Sequence, residues 1–293
     1  MNREISDLYD RYTHSLLDRR TFLERLAALA GGAAAANAML PLLENDYARA
    51  AMVPEDDARI RASMVEYPGA EGNVRGYLAH PADKAGETAS VMKYPAVVVI
   101  HENRGLNPHI QDVVRRFAVA GYISLGPDAL SAKGGTPANE DEAREKIGQL
   151  DPVAARRDFE ASVAWLRTHP RSNGNVGCVG FCWGGAMANQ LAVHVPDLKA
   201  VVAFYGRVAA LEDVPKIQAP LLLHYAGRDE RINADVPAYR QALEEAGKEV
   251  TVYMYPDVDH AFHNDTNAAR YDEAAAKLAW DRTLAFLAEK LAR

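Results

Sequence analysis

The chain has 293 residues, 48% hydrophobic and 25% charged, and its 33 basic against 40 acidic side chains leave a formal net charge of −7. That length suits one large α/β domain, alone or with an N-terminal extension, and allows a sizeable core. The acidic balance and the lack of a basic run argue against nucleic acid as a partner, and no run of about 18 apolar residues offers a membrane span.

In chain order, residues 1–50 come first and carry two readings. Asp18-Arg19-Arg20-Thr21-Phe22-Leu23 resembles a twin-arginine export motif, followed by the alanine-rich stretch Leu26 to Leu43 and a small-x-small site at Ala48-Arg49-Ala50. On that reading the protein is exported to the periplasm. The other reading is an N-terminal helical extension of a cytoplasmic protein. Leu8, Tyr12 and Leu16, then Leu23, Leu26 and Ala30, fall at helical spacings, and Glu4, Asp7 and Asp10 sit where a signal would carry positive charge.

Residues 51–293 form the expected second unit, a mostly parallel sheet with helices on both faces. Strands at Met64 to Tyr67 and Asn73 to Ala79 read as an antiparallel edge pair. Tyr94 to His101 follows, and its run Ala96-Val97-Val98-Val99-Ile100 suits a strand buried on both faces. A helix at Ile110 to Ala120, a strand at Tyr122 to Leu125 and an irregular connection at Ala129 to Gly135, in the position of an active-site loop, come next. Helices are expected at Glu140 to Gln149 and Val153 to His169. Further strands are expected at Asn175 to Phe181, Ala200 to Phe204, Leu221 to Tyr225 and Val250 to Tyr255, with helices at Trp183 to Val195, Asp235 to Ala246 and Ala268 to Leu291. Short apolar runs alternating with amphipathic segments mark an α/β fold.

Within that pattern, Gly180-Phe181-Cys182-Trp183-Gly184 matches the G-x-nucleophile-x-G elbow of α/β-hydrolases, with cysteine as nucleophile. The strand before it and the helix after it supply the required context. Cys178 lies in the strand and reads as core. A bridge to Cys182 is geometrically poor, since four extended residues span roughly 13 Å against about 4.4–6.8 Å between bridged Cα atoms. Two cysteines without nearby histidines make a metal site unexpected. A thiol nucleophile needs a base and an acid that orients it, and this fold places them after later strands in the order nucleophile, acid, histidine. Asp229 and His260 occupy those places. His263 competes with His260, His224 reads as a core histidine, and His101 stands at a strand end where it would line the site.

The stretches Asn173 to Gly185, His101-Glu102-Asn103-Arg104-Gly105-Leu106-Asn107, Gly227-Arg228-Asp229 and His260-Ala261-Phe262 together resemble the dienelactone hydrolase family, from Met64 to the C-terminus. The resemblance implies an α/β-hydrolase fold and a hydrolase of small esters or lactones. It also implies a Cys182–His260–Asp229 triad, an acyl-enzyme intermediate and no metal or organic cofactor. It gives Glu102 a role beside the thiol, assisting its ionisation when substrate enters, and places the oxyanion hole at the N–H groups of Asn103 and Trp183. Members that cleave dienelactone carry an arginine shortly after the catalytic histidine, where this chain has His263-Asn264-Asp265. Arg144 is the candidate for a second arginine on the substrate. The rival to an enzyme is an α/β-hydrolase-like binding protein without turnover, and a thiol-redox protein is disfavoured because Cys182 lacks a C-x-x-C partner.

Overall fold

The computed structural model describes residues 3–14, 16–47, 51–83 and 92–292. The Ala48-Arg49-Ala50 site lies outside the described residues. Three helices open the chain: α1 (Arg3–Thr13), α2 (Arg19–Ala30) and α3 (Ala33–Leu43). Asp18 caps α2, accepting the Thr21 N–H at 2.9 Å, and Gly31 ends it at φ 83°. Ile5, Leu8, Tyr9 and Tyr12 of α1 bury against Phe22, Leu26 and Leu43, so the helically spaced apolar positions of α1, α2 and α3 form a small core. Among the described residues no single helix is long and apolar enough to cross a membrane.

The rest is built on one eight-stranded sheet. Its strands are β1 (Ile60–Pro68), β2 (Asn73–Pro81), β3 (Tyr94–Ile100), β4 (Ile123–Pro127), β5 (Ser172–Phe181), β6 (Ala200–Phe204), β7 (Leu221–Ala226) and β8 (Val250–Tyr255), in spatial order β1-β2-β4-β3-β5-β6-β7-β8. The pairs β1–β2 and β2–β4 are antiparallel and all others parallel. The edge pair is longer than its apolar runs suggest, because the ladder extends from Ile60 opposite Pro81 to Pro68 opposite Asn73. β1 is largely solvent-facing, so burial does not mark its ends.

Intervening helices are α4 (Pro108–Val119), α5 (Glu140–Gly148), α6 (Pro152–Thr168), α7 (Trp183–His194), α8 (Glu230–Asn233), α9 (Val236–Glu245) and α10 (Glu273–Leu291). Side chains of β3 alternate between two cores, Ala96, Val98 and Ile100 on the α6–α7–α9 side and Val97 and Val99 on the α4–α10 side. The final helix starts at Glu273 and not at Ala268. Asp272 caps it by accepting the Ala275 N–H, while the preceding residues turn through bonds from Asn267 N–H to Asn264 O and Arg270 N–H to Asn267 O.

The connection after β4 also differs from its reading. Asp128 holds it closed by accepting the N–H groups of Leu130 and Thr136 and the Thr136 hydroxyl, and it packs beside Gly105. The cleft over Cys182 is lined instead by Arg144, Ile147, Gly148 and Leu150, in and just beyond α5.

What fixes the sheet-to-helix turn after β5 is close backbone approach. A Cβ on Gly184 would stand 2.3 Å from Ile100 O and 2.5 Å from His101 O, so α7 starts in contact with the end of β3. Gly184→Ala should therefore lower stability by about 1–3 kcal/mol, as overpacking does. Gly148→Ala, whose Cβ would meet nothing within 4 Å, should stay within about 0.5 kcal/mol. Denaturant melts of the two variants check this pair.

Candidate active site

Cys182 sits between β5 and α7 with φ 54° and ψ −112°. That left-handed backbone is unusual for a residue with a Cβ. It is held by the Cys182 N–H, which donates to Phe204 O at 3.0 Å, and by Gly180, whose Cβ would lie 1.9 Å from Gly184 O. The turn has the elbow shape that the sequence suggested. The thiol is not freely exposed, however, because α1 lies across it and leaves it half-buried. Cys178 is fully buried in the sheet and both cysteines are free.

Asp229 caps α8, accepting the Ile232 N–H through Oδ1 at 3.2 Å, and its Oδ2 meets His260 Nδ1 at 2.5 Å. That bond fixes the imidazole tautomer and turns Nε2 away from Asp229. His260 Nε2 has no hydrogen-bond partner among the described residues. His260 and Cys182 line the same cleft. The competitor, His263, is buried among Phe181, Phe204 and Trp280. His224 is the core histidine expected, bonded to the Tyr255 hydroxyl at 2.9 Å and the Thr283 hydroxyl at 3.2 Å.

Sequence reasoning missed a second imidazole. His14, just past α1, places Nε2 3.5 Å from Cys182 Sγ, while its Nδ1 bonds Asp10 O at 2.8 Å and faces the Asp10 carboxylate at 3.3 Å. Its ring stands edge-on to His260, centroids 4.6 Å apart. Nothing local could have found this pair, which lies 168 residues from the elbow and is brought there by helix docking.

The other expected site residues divide. Asn103 and Trp183 line the cleft beside Cys182, and the Trp183 N–H belongs to the first turn of α7, where helix geometry gives it no intrahelical partner. Glu102 shares a small cavity of about 30 Å³ with Cys182 and both histidines. Its carboxylate accepts from Asn264 Nδ2 at 2.8 Å and the Tyr205 hydroxyl at 3.4 Å. Arg104 pairs with Glu140 at 3.3 Å. Arg144 reaches the cleft but is committed to α1, donating to Tyr12 O, lying over the Tyr12 ring at 4.2 Å and pairing with Asp141 at 3.4 Å. His101 does not line the cleft. It is fully buried beneath Trp183, stacked at 5.3 Å, donating from Nδ1 to Glu102 O and accepting the Ala129 N–H at Nε2.

The dienelactone hydrolase family model matches residues 74–291, and a YqhI-like model matches residues 1–31. The chain belongs to the dienelactone hydrolase family. It is 30% identical over 292 residues to a Methylorubrum extorquens protein named as a carboxymethylenebutenolidase, covering 94% of each chain. A Salmonella typhi protein of the same name is 30% identical over 252 residues, 81% of this chain and 91% of its own. The crystal structure of a Klebsiella pneumoniae protein described as a dienelactone hydrolase superposes with a TM-score of 0.70 at 28% identity, covering 78% of this chain and 99% of that one.

In this dienelactone hydrolase family member the site's electrostatics centre on the sulfur. Burial pushes the Cys182 thiol up, but the His260 charge and the His14 contact outweigh it and bring the thiol down to about 6. Burial works against the charged form of both imidazoles. His260 is nonetheless raised well above its ordinary range by Cys182 and Asp229, and His14 is raised by its bonds to Asp10 and Cys182. Cys178, with only burial acting, is pushed far up.

Cys182 Sγ and one ring nitrogen each of His14 and His260 lie within 4.8 Å of one another. Along the chain no histidine stands close to either cysteine, whereas the fold puts two beside Cys182.

A lowered thiol is a thiolate above its pKa, so alkylation of Cys182 by iodoacetamide should rise through about pH 6 and be near its plateau by about pH 7. His260→Gln removes a neighbouring positive charge and should move that midpoint upward. Cys178 should stay unlabelled in the native state throughout. Peptide mapping after timed labelling reads all three.

Proposed function

We propose that this family member hydrolyses small ester or lactone substrates through Cys182 as nucleophile, with His260 and Asp229 completing a triad. The observation that carries the reading is the 2.5 Å His260–Asp229 bond, made beside an elbow cysteine in the same cleft. The thiolate attacks the carbonyl carbon, and the N–H groups of Asn103 and Trp183 receive the developing oxyanion. The carbon–oxygen ester bond breaks, the alkoxide takes a proton from an imidazolium, and a thioester remains on Cys182. Water activated by His260 then adds to the thioester, and loss of the sulfur releases the acid and regenerates the enzyme. Glu102, anchored by Asn264 and Tyr205, stays beside the sulfur, placed to act on it when substrate enters.

Cys182→Ala should abolish hydrolysis of 4-nitrophenyl acetate with no loss of fold, since the residue is at a turn and opens no large cavity. More than a few per cent residual activity defeats the mechanism. Cys178→Ala should cost stability and leave kcat/KM nearly unchanged.

Substrate charge is the next part of the proposal. The cleft of about 360 Å³ has an apolar wall of Leu16, Ile147, Leu150, Pro152, Trp183 and Ile232, while Arg144 is occupied by α1. Where the family carries an arginine after the catalytic histidine, this chain has His263-Asn264-Asp265, with His263 buried, Asn264 bonded to Glu102 and Asp265 paired with Arg116. Neutral short-chain esters or lactones should therefore show higher kcat/KM than their carboxylate-bearing analogues. A preference for the anionic lactone that disappears in Arg144→Ala, or in Arg207→Ala at the cleft rim, would overturn this.

We also propose that residues 1–50 remain attached as a helical extension. Arg19 of the twin-arginine motif donates to Asp141 Oδ2 at 2.7 Å, and α1 packs over the site. Intact mass of the protein purified from its own host should include the segment. A mature chain beginning near Ala51 would instead support export.

A further inference from the structure

The end of α1 is fastened to the hydrolase domain at its last carbonyls, which a helix leaves without internal partners. Asn103 Nδ2 donates to Thr13 O at 2.7 Å, and Arg144 donates to Tyr12 O. Arg270 bonds the Thr13 hydroxyl at 3.1 Å and Asp10 Oδ1 at 3.4 Å, and lies over the Tyr9 ring at 4.6 Å. Arg231 approaches Asp10 at 3.8 Å. Four side chains from four separate loops and helices therefore fix one short stretch, Tyr9 to His14. The result is that a second imidazole is aimed at the nucleophile with its own carboxylate behind it. His14 Nδ1 faces Asp10 as His260 Nδ1 faces Asp229.

We propose that His14 is a catalytic residue that accepts the Cys182 thiol proton at Nε2, with Asp10 holding its ring in the tautomer that leaves this nitrogen free. The proposal rests on Cys182 being the nucleophile. His14 Nδ1 donates to Asp10 O, so in the neutral ring Nε2 is the acceptor, and it is the nitrogen 3.5 Å from the sulfur. His260 Nε2 is buried and makes no hydrogen bond of its own among the described residues, while a His260 ring nitrogen lies within 4.8 Å of the sulfur. The two imidazoles then divide the reaction. The S–H bond breaks as N–H forms on His14, the sulfur–carbon bond forms, the ester carbon–oxygen bond breaks, and the departing alkoxide takes that proton. In the second half water gives its proton to His260 as it adds, and His260 returns it to the sulfur when the carbon–sulfur bond breaks. One water is consumed, and the sulfur and both rings end in the protonation states in which they began.

Charged and titratable neighbours of His14 in the small cavity are Cys182, His260, Tyr9, Glu102, Arg104 and Arg270, beside its own Asp10. From the cleft side Arg144, Tyr205, Arg207 and Arg231 join them. Any pH profile reflects that whole set, which is why the decisive comparison is between variants at one pH.

The test is pre-steady-state hydrolysis of 4-nitrophenyl acetate by the full chain at about pH 7, with mass spectrometry of the acyl-enzyme. His14→Ala should slow the acylation burst by about tenfold, because without the His14 contact the sulfur keeps more of its proton at that pH. Free imidazole should restore part of that rate after subtraction of a Cys182→Ala blank. His14→Gln should stay as slow as His14→Ala without imidazole. His260→Ala should acylate and then accumulate the thioester, because deacylation is what it loses. A burst rate in His14→Ala within threefold of wild type, or faster than wild type because α1 merely blocked the cleft, overturns the assignment. A slow burst that imidazole cannot restore, with circular dichroism showing an intact fold, also overturns it, since that is the signature of a packing role. Activity surviving in Cys182→Ala would instead reject the nucleophile and is read separately.

Discussion

Everything about the site follows from how closely three pieces of backbone meet at the end of β5. Gly184 touches the end of β3, Gly185 would place a Cβ 2.6 Å from Phe204 O, and Gly206 would place one 2.3 Å from the Gly185 carbonyl carbon. None of those positions tolerates a side chain, so α7 is drawn against β3 and β6 and the chain between strand and helix has no room to turn gradually. Cys182 absorbs the turn at φ 54°. A strained residue of this kind persists only where its surroundings over-determine it. Here the bond from its N–H to Phe204 O and the packed glycines do so.

The same compression governs charge. A thiol and two imidazoles are enclosed together, where isolated ions would be strongly disfavoured. The enclosure is tolerable because each imidazole has a carboxylate behind it and the sulfur supplies the opposite sign between them. Asp229 and Asp10 are themselves held below the usual carboxylate range against burial, Asp229 by His260 and Asp10 by His14 and Arg270. Charge is thus handed outward in steps, from sulfur to ring to carboxylate to arginine, and Arg270 and Arg231 end that series on the α1 side.

The legible part of this molecule was the part written in short-range signals. Gly180, Cys182 and Gly184 sit within five residues, and Asp229 and His260 each follow a strand, so the elbow and its His–Asp partner could be read in chain order. Buried parallel strands announced themselves as apolar runs, whereas β1 did not, since a half-solvated edge ladder has no such run. His14 and Asp10 were invisible for a different reason. They belong to a helix whose apolar stripe could be read, but nothing in a stripe says which surface it will cover. Arg144 and His101 do lie near the site, as their positions in the chain suggested, yet neither is free to meet a substrate. Arg144 is taken up by α1 and His101 by the stack under Trp183.

The fastening of α1 also has a consequence for the order in which the molecule is made. Asp10 and Arg270 are separated by 260 residues, and Thr13 and Asn103 by 90. α1 therefore acquires its Arg270 anchor only after 260 further residues have been synthesised. Until Asn103 and the later anchors follow, Tyr9, Tyr12 and Phe22 have the small core of α1, α2 and α3. Contacts of such span carry a large loop-closure cost and form late. A nascent chain can thus complete its sheet and its elbow before the last fastening of the helix that covers the thiol is in place.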